Sequence, residues 1–90
     1  MHVEFTEAYG PIGTGIAFQA TANGQPVICI ATGAALSFAD NSPFGEDLSG
    51  QYLRNRPLLR EAAEMLILAG RLEPGGFIEI RQEDIHSRRC

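Results

Sequence analysis

The residue best suited by type to nucleophilic chemistry is Cys29, because a thiolate attacks electrophilic centres once a neighbouring base or cation has lowered its pKa. Its setting, Val27-Ile28-Cys29-Ile30, is apolar on both sides, which predicts an inert, buried thiol. His2, His86 and Cys90 would supply three of the four ligands a zinc ion takes. All three lie near the chain ends, where holding a ligand set rigid is difficult, so they are expected to be tail residues. Glu83-Asp84 would make a general acid and base only if both faced one substrate, and neighbours in a strand point to opposite faces. Gly10-Pro11-Ile12-Gly13-Thr14-Gly15 has the glycine content of a phosphate-cradling loop, but such loops lead from a strand into a helix. Here a strand pattern follows, and the chain has no lysine. No catalytic residues, metal site or cofactor are therefore expected.

One constellation remains, for binding rather than catalysis. Arg56 and Arg60 stand four apart on a predicted helix with Arg54 nearby, a spacing that would let guanidinium forks clamp a carboxylate or phosphate on a partner. Glu64 stands one turn beyond Arg60 and Glu61 beside it, so an ordinary salt-bridged solvent face is the competing expectation.

The elements that position these residues follow from periodicity. Val3 to Thr6 reads as a short strand and Gly10 to Gly15 as a loop. Ile16, Phe18, Ala20 and Ala22 alternate with less apolar residues, the period of a half-buried strand. Asn23-Gly24 suits a tight hairpin into Pro26 to Ala31, whose apolar residues on both faces suggest a central strand. Thr32 is placed to cap a short helix to about Asp40 that turns Ala35, Leu36 and Ala39 inward, although Gly33 weakens it. Asn41 to Gly45 breaks the chain. A longer helical pattern then runs to Ala69, with Leu48, Tyr52, Leu59, Ala62, Ala63 and Leu66 on its core face and Gly70 in the terminating position. Pro57 removes a mid-helix hydrogen bond, so either the helix kinks or Asn55 caps a new one. The kinked helix is preferred. Pro74-Gly75-Gly76 makes a turn into a final strand, Phe77 to Gln82.

The fold class expected is thus α+β: a β-hairpin, a short helix, a long and kinked helix and a final strand, with the helices on one face of a small antiparallel or mixed sheet. Val27-Ile28-Cys29 leading into Ala35-Leu36, the stretch from Tyr52 to Ala63 with Asn55-Arg56, and Gly76-Phe77-Ile78 running to Asp84-Ile85 together resemble the uncharacterised bacterial family called domain of unknown function 1488. The resemblance covers roughly residues 3 to 85. It implies a small α+β fold and a bacterial origin, and it brings no catalytic residues to carry over. Gly10 to Gly15, Gly33 and Pro57 depart from the family's usual pattern.

At 90 residues the chain has a one-domain length, and residues 1–85 are expected to form the domain, with 86–90 a polar tail. Its apolar runs fall far short of the roughly 20 residues that span a bilayer. The start, Met1-His2-Val3-Glu4-Phe5, lacks a signal-like pattern, so a cytoplasmic location is expected. Residues 1–50 carry five acids and no Arg or Lys, residues 51–90 seven Arg against six acids, for a net charge of -4. That balance disfavours nucleic acid as a partner.

The reading that follows is a non-enzymatic interaction or regulatory module with a protein partner. The alternatives are a small-ligand or nucleic-acid binder using the arginine-bearing helix and, third, an enzyme built on Cys29. A homodimer is also expected, because Leu53, Ile67 and Leu68 lie away from the centre of the core stripe. Either the short helix of the same chain or a second copy must cover them, and the second copy is preferred.

Overall fold

In the computed structural model, which describes residues 2–85, the chain begins with three strands, β1 (Val3–Ile12), β2 (Gly15–Ala22) and β3 (Gln25–Ala31). Three helices follow, α1 (Gly33–Asp40), α2 (Leu48–Arg54) and α3 (Arg56–Leu68), then β4 (Phe77–Ile80) and a single 3₁₀ turn, Gln82–Asp84. The sheet order is β1-β2-β3-β4. The first two pairings are antiparallel and β4 runs parallel to β3. A parallel pair needs a long crossover, and all three helices lie within the one between β3 and β4. They cover one face of a mixed sheet, which is the α+β architecture the periodicity predicts.

The β2-β3 hairpin turns on Asn23 and Gly24 at φ +53° and +83°, the pair of positive values a two-residue turn of matching twist requires. Register then puts Phe18 opposite Cys29 and Cys29 beside Ile78. These three and Ile16, Ala20, Val27, Ala31 and Ile80 are buried beneath the helices. The helices meet them with Leu36, Tyr52, Leu59, Ala63 and Ile67, each at most 1% exposed. The Thr32 hydroxyl accepts a hydrogen bond from Ala35 N at 3.1 Å and caps α1 as expected. At the far end of α3, Arg71 N donates to Leu66 O and Gly70 N to Ile67 O, both at 3.0 Å. With Gly70 at φ +75°, this is the paired carbonyl capping that a left-handed glycine permits.

Three boundaries differ from the sequence expectation. Gly10, Pro11 and Ile12 belong to β1, which pairs with β2 down to Ile12 opposite Gly15. Pro11 is tolerated because β1 is an edge strand and Pro11 sits opposite Ile16, one step from the hydrogen-bonded pair that closes the turn, so its missing N–H is on the open side. The long helix is two helices. Asn55 separates them at φ -119° and ψ 23°, and Pro57 lies in the first turn of α3, where its missing donor costs nothing. Finally, β4 ends at Ile80, and Gln82, Glu83 and Asp84 form the 3₁₀ turn, in which Asp84 Oδ2 accepts from Arg81 N at 2.9 Å.

Candidate functional site

The three arginines proposed as one surface divide into two sites because α2 and α3 are separate helices. Arg54 ends α2 and turns towards α1, donating from Nε and Nη2 to the two oxygens of Asp40 at 3.0 and 2.7 Å. Asp40 also accepts from Ser42 Oγ at 2.6 Å and Asn55 Nδ2 at 2.8 Å. These donors hold its carboxyl below the usual carboxylate range, the Arg54 fork contributing most. Ser42 Oγ in turn accepts from Nε2 of the buried Gln51 at 2.8 Å. This network ties α1, the following loop and the α2-α3 junction together, and Arg54 is committed to it.

Arg56 and Arg60 instead lie over β1, with side chains 28% and 25% exposed. Helical side chains lean towards the N-terminus, which carries Arg60 back towards Arg56 and away from Glu64. Arg56 Nη1 donates to Glu7 Oε1 at 2.8 Å, and Arg60 Nη2 donates to Thr6 O at 3.1 Å and stands 3.8 Å from Glu7 Oε2. The guanidinium carbons lie 5.7 Å from the Tyr52 ring centre and 5.4 Å from that of Phe5, within cation-π range. Tyr52 stacks in turn on Tyr9 and Phe18, with centroids 4.8 and 5.2 Å away. The Nε atoms of both arginines are buried and have no hydrogen-bond acceptor among the described residues.

A bulge in β1 sets this geometry. Phe5 pairs with Ala20 and Tyr9 with Phe18, so Thr6, Glu7 and Ala8 together face Gln19 alone. Thr6 Oγ1 accepts from Ala8 N at 3.2 Å and holds the bulge. Glu7, Thr6 and the rings of Phe5 and Tyr9 were not among the residues the sequence singled out. Periodicity could not have marked the bulge, because three residues opposite one add two to the strand and leave Val3, Phe5 and Tyr9 in the same period-two phase.

Of the residues proposed for self-association, Leu53 and Leu68 are exposed, but Ile67 is 1% exposed and belongs to the chain's own core. Its angular position at the margin of the stripe is covered because α3 lies on the sheet beside β4. Leu53 lies in α2, before α3 begins, and Leu68 is the last residue of α3, whose 13 residues span about 20 Å, so they do not form one patch. A further apolar surface lies on the sheet. Val27 to Ile30 is apolar on both faces, yet the helices cover only one. On the other, Ile28 lies between Gln19 and Phe77, and Ile30 between Ala17 and Glu79. Ile28 is 40% exposed.

Cys29 is fully buried, and burial pushes its thiol pKa up to about 12. A concavity of about 560 Å³ is lined by Ala34, Ser37, Phe38, Asn41, Phe44 and Gln82 among others, with no ionisable side chain. His2 is paired with the exposed Glu4 at 2.8 Å. His86 and Cys90 lie outside the described residues, and no cluster of three or more metal-ligating side chains occurs among those described. No helix among them is long and apolar enough to cross a membrane.

A mixed four-strand sheet with helices on one face and a bulged, arginine-strapped edge defines a small α+β domain. The chain belongs to the family described as protein of unknown function (DUF1488), whose model matches residues 3–80. The crystal structure of a DUF1488 family protein of unknown function from Shewanella loihica PV-4 superposes with a TM-score of 0.73 at 23% identity, covering 87% of this chain and 90% of that one. That likeness is one of fold. No curated protein matches the chain.

Proposed function

We propose that the protein is a non-enzymatic interaction module that works through the uncovered face of its sheet and that its partner there is a second copy of the chain. The observation that carries this reading is the contiguous row of Ile28, Ile30, Phe77 and Ala17 on a face without helices. Neighbouring strands bring these side chains about 5 Å apart, whereas the exposed leucines of the helices are scattered. Two-fold pairing places a patch against itself, which repels when the patch is charged. Here the centre is uncharged, and Glu79 at its margin is neutralised by Arg81 at 3.0 Å. Edge-to-edge pairing is blunted by the bulge and Pro11 on β1 and by the four-residue length of β4. The patch covers on the order of a few hundred Å², below the ~800 Å² per partner of a standard interface, so the dimer forms weakly, at high micromolar concentration.

Sedimentation equilibrium across that range tests the reading. The wild type shifts from 9.7 kDa towards twice that mass, and Ile28→Lys stays monomeric with unchanged circular dichroism. Leu53→Glu and Leu68→Glu leave the dimer intact. A wild type that is monomeric throughout overturns the proposal, and a dimer split only by the leucine variants moves the contact to the helices.

A further inference from the structure

We propose that Arg56 and Arg60, seated over the β1 bulge, form a binding site for a phosphoryl dianion, and that Glu7 occupies the site as a built-in competitor. Two guanidiniums converge there on a single carboxylate, one facing each of its oxygens, at 2.8 and 3.8 Å. The longer distance is beyond hydrogen-bond range, so one carboxylate does not satisfy both forks. Two positive charges meet one negative charge, in a chain whose overall charge is -4. A phosphate monoester carries about -1.5 to -2 at neutral pH and three acceptor oxygens, which matches two forks better than a carboxylate does.

The arginines are preorganised for such a ligand. The guanidinium carbons lie 5.7 and 5.4 Å from the centres of the Tyr52 and Phe5 rings, and cation-π attraction at that range helps to hold both side chains over the bulge. The Arg60 bond to Thr6 O, at 3.1 Å, fixes one of them further. Glu7 and Thr6 O take one hydrogen bond each, from Arg56 Nη1 and Arg60 Nη2, so the terminal nitrogens of the pair carry more donor capacity than these two acceptors use. Glu7 itself is held loosely: its side chain is 80% exposed, and it stands on a bulge, the kind of irregularity that re-aims a side chain at a site. A competitor in that position swings out without disturbing the core. Arg54 takes no part, since Asp40 holds it.

The test is a titration of the ¹⁵N-labelled protein with inorganic phosphate and, separately, phosphoserine, following the Nε–H signals of Arg56 and Arg60 by NMR. Both signals move saturably with phosphate and far less with acetate, a monoanion. Removing the competitor with Glu7→Gln tightens binding about two- to fivefold, the worth of an exposed ion pair. Arg56→Gln and Arg60→Gln each weaken it at least about tenfold, and Arg60→Lys, which keeps the charge and loses the planar fork, recovers only part. Phosphoserine binding tighter than inorganic phosphate identifies the ligand as an ester carried on a larger molecule, and equal affinity identifies the free ion. No saturable shift in Glu7→Gln, acetate binding as tightly as phosphate, or unchanged affinity in the arginine variants overturns the proposal. Glu7→Gln alters one exposed side chain, so its result does not depend on how well the arginine variants fold.

Discussion

At Cys29 the same burial that removes reactivity also creates a pH dependence. The thiol is surrounded by Phe18, Ile78 and the helices, and its pKa rises from 9.0 to about 12 because the thiolate would lose its hydration. In the unfolded chain it ionises from about pH 9, whereas in the folded protein it keeps its proton. The unfolded state therefore binds fewer protons between those values, and stability falls as pH rises through that window, by up to about 1.4 kcal/mol per pH unit. Chemical denaturation at pH 8 and pH 10.5 should show this loss in the wild type and not in Cys29→Ala, whose stability is lower but flatter with pH. Alkylation at neutral pH should proceed only as fast as the protein unfolds. The inert thiol was legible in the sequence because flanking residues report burial directly. The arginine triad was not, because its grouping assumed one continuous helix, and two residues of an α-helix turn through about 200° even before Asn55 redirects the chain.

Between elements, two glycines mark places of close approach, Gly15 against Ala31 and Gly33 against Thr14 and Phe44. Gly33 is such a position in the first turn of α1. By helix propensity alone, Gly33→Ala stabilises by about 1 kcal/mol. In the structure a Cβ there meets the carbonyl oxygen of Thr14 at 2.5 Å and the ring of the exposed Phe44 at 2.8 Å, so the ring must move and the backbone of the turn between β1 and β2 must give way. The substitution is expected to destabilise by about 1–3 kcal/mol, the range for overpacking, and thermal melting reads the sign unambiguously. Local patterns gave the element types and the core face correctly, since Leu59, Ala62, Ala63 and Leu66 are buried as their spacing predicts. They failed at Gly10 to Ile12 and at Asn55. Turn-forming composition cannot distinguish a loop from an edge strand with an open side, and a proline near an asparagine fits a kink as well as a new first turn. Tertiary partners decide both: pairing with β2 in the first case, and the Asn55 bonds to Asp40 and Gln51 O, at 2.8 and 2.9 Å, in the second.

Across the whole molecule, stability is unevenly distributed. The fully buried side chains come from β2, β3, β4 and the helices, while β1 contributes none, its best-covered residues being the partly buried Val3 and Phe5. The strand is hydrogen-bonded on one side only, and the bulge interrupts its ladder between Phe5 and Tyr9. What holds that middle section is chiefly Arg60 of α3, which donates to Thr6 O and lies within cation-π range of Phe5, with the exposed ion pair of Arg56 and Glu7 beside it. A region with few buried apolar contacts and exposed backbone bonds opens below the global unfolding free energy. Native-state hydrogen exchange should therefore find the β1 amides around the bulge exchanging through a local opening, and those of β2 and β3 only through global unfolding. The double variant Arg56→Gln/Arg60→Gln should speed exchange near Thr6 and Ala8 and leave that at Cys29 close to the wild-type rate. If the two regions instead accelerate together, β1 belongs to the same cooperative unit as the core, and the arginine strap then supports the whole fold rather than its edge.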